Sequence, residues 1–233
     1  MNAKVVLVRP VYEENVGLAA RACANFGCRE LAFVRPECDW KSGKAKSRAM
    51  HGKEILLKAK EFGSISEAVK DCSYVIATSA KKGGKRNAMA PEEIARAFGK
   101  SNARIALVFG PEPSGLANEE IAECDFVATI PASEKYPTLN LSHAVCTMLY
   151  ALFAGSGKGK GFEDTKPATK KLLLKAFEKD LEMLSSIDDK KAVRASFRAL
   201  CSRALLSEKE AKALVAFLSE MGKAMKRKGG KGC

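Results

Sequence analysis

Four polar side chains stand in stretches that otherwise read as scaffold. They are Asn15 and Arg21 in "NVGLAARACANFG" (15–27), Glu112 in "LVFGPEPSGLANEEI" (107–121) and Asn140 in "IPASEKYPTLNLSHAVCTMLY" (130–150). Arg21 is set among Ala19, Ala20, Ala22 and Cys23, on a helix whose small residues permit close packing. A guanidinium there calls for a phosphate or carboxylate, because it is always charged and presents a planar fork of donors. A plain surface arginine is the competing reading. Asn15 fits an N-cap after a first strand, where free helix N–H groups favour an anion. Glu112 is clamped between Pro111 and Pro113; it either accepts from a ligand amine or ribose, or braces its own loop. Gly110, just before it, lets a ligand approach the main chain closely. Asn140 starts helices well and propagates them poorly. It opens an amphipathic segment after a loop stiffened by Pro131 and Pro137.

Several familiar chemistries are missing. There is no GxGxxG fingerprint and no GxxxxGK[ST] loop, and "KKGGKR" (81–86) fits neither order. The eight cysteines, at 23, 28, 38, 72, 124, 146, 201 and 233, form no CxxC pair, and only two histidines could assist them. That argues against a metal site. Several of the cysteines sit in apolar runs, where a free thiol behaves as a small hydrophobe. A reducing, cytoplasmic setting fits this usage. The start "MNAKVVLVRP" is too short in apolar residues for a secretory signal, and no run of about 18 apolar residues suits a membrane span.

These side chains must be positioned by a regular scaffold. Short runs rich in Val and Ile recur at 5–8, 31–34, 74–78, 105–109 and 126–130, and they barely alternate. Strands buried on both faces, as in a parallel sheet, have that pattern. Helical stretches lie between them at 15–26, 50–61, 66–70 and 91–98, the last opened by Pro91 with Glu92 and Glu93. Alternation of this kind predicts an α/β domain with crossover connections. Ligands in such sheets bind beyond the carboxyl ends of the strands. The loops after 78, 109 and 130 are therefore candidates to line one cleft.

The pattern breaks at "AGSGKGKGFEDTKP" (154–167), which reads as a flexible linker. Three amphipathic helices follow, the third with Ser207 and Glu210 spaced as a capping box. The expected organisation is a domain over 1–154, a linker over 155–167 and a helical module over 168–233. Net charge is +13, with 21 Lys+Arg against 17 Asp+Glu up to Ala154 and 19 against 10 beyond it. That excess points to a polyanion partner, or else to a lysine-rich solubilising surface.

The stretches "NVGLAAR", "FGPEPSGL" and "YPTLNLSHAVCTMLY" together resemble the three motifs of the SpoU branch of the SPOUT RNA 2′-O-ribose methyltransferases, in the right order over roughly residues 4–153. The tail "FRALCSRALLSEKEAKALVAFLSEM" is similar, more loosely, to the helical tail of the TrmJ group, which methylates tRNA at nucleotide 32. The resemblance implies a mostly parallel α/β sheet with a C-terminal trefoil knot and S-adenosylmethionine as cofactor. It also implies a homodimer whose second chain completes the cleft, and tRNA as substrate, with no membrane and no metal. By motif position the cofactor meets Thr78, Ser79, Ala80, Gly110, Ile130, Pro137, Thr138 and Leu139. Arg21 matches the catalytic arginine, Asn15 the asparagine that orients it, Glu112 the glutamate of the second motif and Asn140 the asparagine of the third. Thr138 stands where family members carry Ser; the hydroxyl is kept and a methyl added. Competing functions are a ribosomal RNA methyltransferase, an RNA-binding protein without catalysis, and a nicotinamide enzyme, the last opposed by the missing glycine fingerprint.

Overall fold

The computed structural model describes residues 2–80, 88–156 and 165–229. Six parallel strands form one sheet: β1 (Ala3–Val8), β2 (Glu30–Val34), β3 (Lys60–Phe62), β4 (Tyr74–Thr78), β5 (Ile105–Phe109) and β6 (Phe126–Ala128). Their spatial order is β3-β2-β1-β5-β4-β6. The two central strands explain the lack of alternation in the sequence. All of β1 and all of β5 are buried, because helices cover both faces.

The pleat sends alternate residues to opposite layers. On one face Val6, Val8, Ala32, Val34, Val75, Ala77, Ala106 and Val108 pack with Ile65 and Ala68 of α4 (Ile65–Ala68) and with Ile121 of α6 (Asn118–Ala122). The other layer holds α1 (Glu13–Asn25), α2 (Gly43–Ala49), α3 (Lys53–Lys58), α5 (Pro91–Phe98) and α7 (Leu141–Gly155), with α1 packed on both α2 and α7 and α5 on α7. Phe33, Leu56, Ile76, Ile94, Leu107 and Leu149 are among its fully buried side chains.

Two elements escape the hydrophobic pattern. Strand β3 is an edge strand of two exposed charged residues and Phe62. Helix α2, sequence GKAKSRA, buries only Ala45 and Ala49; it is held by the Ser42 hydroxyl, which accepts from Ala45 N at 3.1 Å. The helix expected over 50–61 is a 3-10 turn (Met50–Gly52), then α3, then β3. The strand expected over 126–130 ends at Ala128. Beyond it Thr129 N donates to Met89 O, and Pro131 has no N–H to continue a ladder.

The chain clusters into two compact units, Met1–Phe162 and Glu163–Cys233. Helix α7 extends through Gly155, where it crosses α5 so closely that a Cβ on Gly155 would meet Ala95 Cβ at 2.9 Å. Helix α8 (Pro167–Glu182) opens on a proline, whose fixed φ suits a first helical position. Most of the expected linker, residues 157–164, lies outside the described residues, as does "KKGGKR". In the second unit α8, α9 (Lys190–Arg203) and α10 (Glu208–Gly229) close around Leu173, Cys201 and Leu218, beside stacked Phe177 and Phe197 rings 3.7 Å apart. The capping box forms as its spacing predicts: Glu210 N donates to Ser207 Oγ at 3.2 Å, and Ser207 N to Glu210 Oε2 at 2.7 Å. Among the described residues no helix is long and apolar enough to cross a membrane.

Candidate active site

Beyond the carboxyl ends of β4, β5 and β6, three loops enclose a cavity of about 310 Å³. The volume is in the range of small-molecule sites. Its wall contains Thr78, Ser79 and Ala80 after β4, Gly110 after β5, Ile130 after β6, and Pro137, Thr138 and Leu139 before α7. All eight residues assigned to a cofactor by motif position therefore share one hollow. Phe109, Leu116, Ala128, Leu141 and Ala144 add apolar wall, and Ser114 adds a hydroxyl. All but Ala128 lie within the second and third motif stretches, yet the resemblance assigns none of them a role.

The shape of the hollow depends on Gly110. A Cβ there would stand 2.2 Å from Leu116 N and 2.3 Å from Gly115 C. The loop therefore doubles back onto its own start, helped by Gly115 at φ +69° and a bond from Gly115 N to Pro111 O of 2.8 Å. The return leg is fastened to β1. The Arg9 guanidinium grips Glu120 through both nitrogens, at 2.5 and 3.1 Å, while Glu120 also accepts from Ala117 N at 2.8 Å. The Arg9 bond holds the Glu120 carboxyl below the usual carboxylate range. Arg9 itself sits at φ +45°, a conformation few non-glycine residues adopt.

A second arrangement joins the three motifs through side-chain amides. Asn15 Nδ2 donates to Glu112 Oε1 at 2.8 Å, and Asn140 Nδ2 donates to Asn15 Oδ1 at 2.9 Å. Asn140 Oδ1 accepts from Ser142 N at 2.9 Å and from Ser142 Oγ at 2.7 Å, so Asn140 is the N-cap of α7. Val11 N donates to Glu112 Oε2 at 3.0 Å. Every amide orientation in the chain is fixed by its neighbour. Glu112, which the sequence left between ligand and brace, has each carboxylate oxygen committed to a protein donor while it lines the cavity.

Asn15 is not the N-cap of α1. That position is Tyr12, in extended backbone, and Asn15 lies in the first turn, 7% exposed. Glu13 and Glu14 begin the helix earlier because carboxylates favour its positive end. The Asn15 side chain is thereby left free for Glu112 and Asn140. Arg21 lies six residues on, about 9 Å along α1 and some 240° around it. It is exposed, outside the cavity wall, and its side chain has no hydrogen-bond or ion-pair partner among the described residues. The structure thus gathers Asn15, Glu112 and Asn140 in one network and Thr138 with the other seven wall residues in another. Arg21 stands apart from both.

Removing Asn140 tests the coupling. Asn140→Ala is expected to cost about 1 kcal/mol as a lost cap and about 1–3 kcal/mol more by stranding the buried Asn15 amide. Urea melts of this variant, of Asn15→Ala and of the double variant check it. The two losses should fall short of additivity by at least about 0.5 kcal/mol.

The model of the SpoU rRNA methylase family matches residues 2–150. The tRNA (cytidine-2′-O-)-methyltransferase TrmJ of Methanocaldococcus jannaschii is 38% identical over 217 residues, covering 89% of this chain and 94% of that one. The crystal structure of TrmJ from Z. mobilis ZM4 superposes with a TM-score of 0.73 at 28% identity, covering 94% and 98% of the two chains. A structure described for 2-OH methylation of C/U34 on tRNA has a TM-score of 0.53 at 26% identity, covering 66% and 89%.

Proposed function

The chain belongs to the SpoU rRNA methylase family, and on that premise we propose that it methylates a ribose 2′-hydroxyl of tRNA in the cytoplasm. The observation that carries the reading is the convergence of residues 78–80, 110–116, 130 and 137–139 on one hollow beyond the strand ends. S-adenosylmethionine, when bound, supplies an electrophilic methyl group. The fit of this wall is favourable: apolar Ile130, Leu116 and Leu141 suit an aromatic base, while Thr78, Ser79 and Thr138 bring hydroxyls near. The doubled-back loop at Gly110 leaves main chain facing the cavity. The family's trefoil knot is proposed for the segment after β5, where β6 returns to the far side of β4.

The remaining task of the protein is placement and charge control. A guanidinium cannot serve as a base, because it stays protonated across the working pH range. Arg21 accordingly grips the phosphate next to the target ribose and stabilises negative charge developing on the 2′ oxygen. The Asn15–Glu112–Asn140 chain fixes α1 to the cavity wall and so positions Arg21. A homodimer is part of the proposal. Tyr150 and Phe153 on α7 are 60% and 53% exposed and pack against Phe26, Tyr150 edge-on and Phe153 tilted, the kind of apolar surface that pairs. Arg21 standing outside its own cavity is consistent with a cleft completed by a second chain.

The C-terminal unit, with its excess of Lys and Arg, is proposed to hold the tRNA, and its likeness to the TrmJ tail favours nucleotide 32, cytidine or uridine. Nucleotide 34 is the second reading, favoured by the neighbour described for C/U34. Removing residues 158–233 should weaken tRNA binding at least tenfold while cofactor affinity stays unchanged. Filter binding and calorimetry read the two. Equal tRNA affinity would make the unit a stability element. The proposal as a whole is tested by transfer of label from methyl-labelled S-adenosylmethionine to tRNA; binding of tRNA without transfer would leave a non-catalytic RNA-binding protein.

A further inference from the structure

Residues 40–53, WKSGKAKSRAMHGK, hold Lys41, Lys44, Lys46, Arg48, Lys53 and His51 and not one Asp or Glu, in a chain with 27 acidic residues. Folding locks this segment onto α1 at two glycines. A Cβ at Gly17 would lie 2.3 Å from Ala45 O and 2.8 Å from Arg48 Cβ; one at Gly52 would lie 2.3 Å from Ala20 O and 2.8 Å from Arg21 N. Ala45, Ala49 and Gly52 face inward and are buried, while Lys44, Arg48, His51 and Lys53 are exposed. The contact at Gly52 sets the backbone of this turn against α1 at Ala20 and Arg21. Met50, at φ +47° and 57% exposed, makes the tight turn between α2 and the 3-10 turn. Such a conformation persists only where packing over-determines it, so the cations stand on a fixed platform.

These charges do little for stability. Lys44 approaches Glu14 only at 3.9 Å, with both side chains exposed, and Lys41 lies over the Trp40 ring at 4.6 Å. Lys46, Arg48 and Lys53 have no ion pair among the described residues. Elsewhere in the same unit Lys4 pairs with Asp71, Arg9 with Glu120, and Arg104 with both Glu30 and Asp71.

We propose that this shelf is an RNA-backbone docking surface of the methyltransferase unit, on which Arg48 and Lys53 hold the phosphates flanking the ribose presented to Arg21. It rests on the reading of tRNA as substrate. Phosphate contacts fix register and orientation without reading sequence. They release counterions, so their signature is the salt dependence of binding rather than affinity alone.

The test is the full-length double variant Arg48→Gln with Lys53→Gln, measured for tRNA binding without cofactor from about 50 to 200 mM salt. Losing two phosphate contacts should reduce the slope of log K against log salt by roughly 1.4–1.8, and lower affinity about tenfold near 150 mM salt. Affinity for S-adenosylhomocysteine and the melting temperature should not move. The charge-keeping pair Arg48→Lys with Lys53→Arg should restore the slope. A slope equal to wild type, or weaker binding with no change in slope, overturns the surface and leaves tRNA methylation standing. A reduced slope in a protein that transfers no methyl group supports the surface while refuting the catalytic reading.

Discussion

Replacing Arg21 with alanine is expected to lower kcat about a thousandfold or more while the Kd for S-adenosylmethionine stays where it is. The size follows from the role: removing one group that stabilises an oxyanion costs about 10²–10³, and Arg21 is also asked to hold the adjacent phosphate. The second half follows from geometry. Arg21 is exposed on α1 and contributes nothing to the cavity wall. Truncating it therefore leaves Gly110, Ile130 and Thr138 untouched. Stability should also be unaffected, since the Arg21 side chain has no bond among the described residues to lose. Single-turnover assays beside isothermal titration separate the two effects. Normal turnover in the variant would remove Arg21 from the mechanism, and lost cofactor binding would mean that it belongs to the wall after all.

Gly110→Ala should show the opposite pattern. Its Cβ would be placed within 2.3 Å of the backbone of both Gly115 and Leu116, so the loop itself must shift rather than a side chain swing aside. A shift of about 1 Å in a positioned wall costs on the order of a hundredfold. The loss should appear in cofactor affinity first and in turnover through it. A circular dichroism melt confirms that the variant is folded, since the strand before Gly110 is buried along its whole length. Wild-type affinity would show that the main chain at Gly110 is not part of the site.

The contrast between these two residues reflects what the sequence could disclose. Gly110 was legible because a buried strand ending in Gly-Pro-Glu-Pro leaves the main chain few paths, and the structure uses the path for a cavity. The parallel strands were legible for a related reason: Val5, Val6, Leu7 and Val8 are fully buried, and burial on both faces erases alternation. Strand β3 carried no such signal, since an edge strand need not bury Lys60 or Glu61. Helix α2 was hidden because close packing against Gly17 needs only alanines and leaves its other positions polar. Of the two readings of Asn15 only the cap fails: Asn is a good cap residue, but its partners, Glu112 and Asn140, lie 97 and 125 residues away, beyond any local signal. Arg21 was legible as an arginine out of place among alanines, but its distance from the cavity depends on the helical phase relative to Asn15, which only the fold fixes.

The central claim is that this chain places a methyl group on a tRNA ribose. Its most direct test is mass spectrometry of nucleosides and nuclease fragments from total tRNA incubated with the protein and methyl-labelled S-adenosylmethionine. The expected result is label on 2′-O-methylated cytidine or uridine within the anticodon-loop fragment, at nucleotide 32, and none with Arg21→Ala. Label on a base, or no label on the tRNA at all, would contradict it.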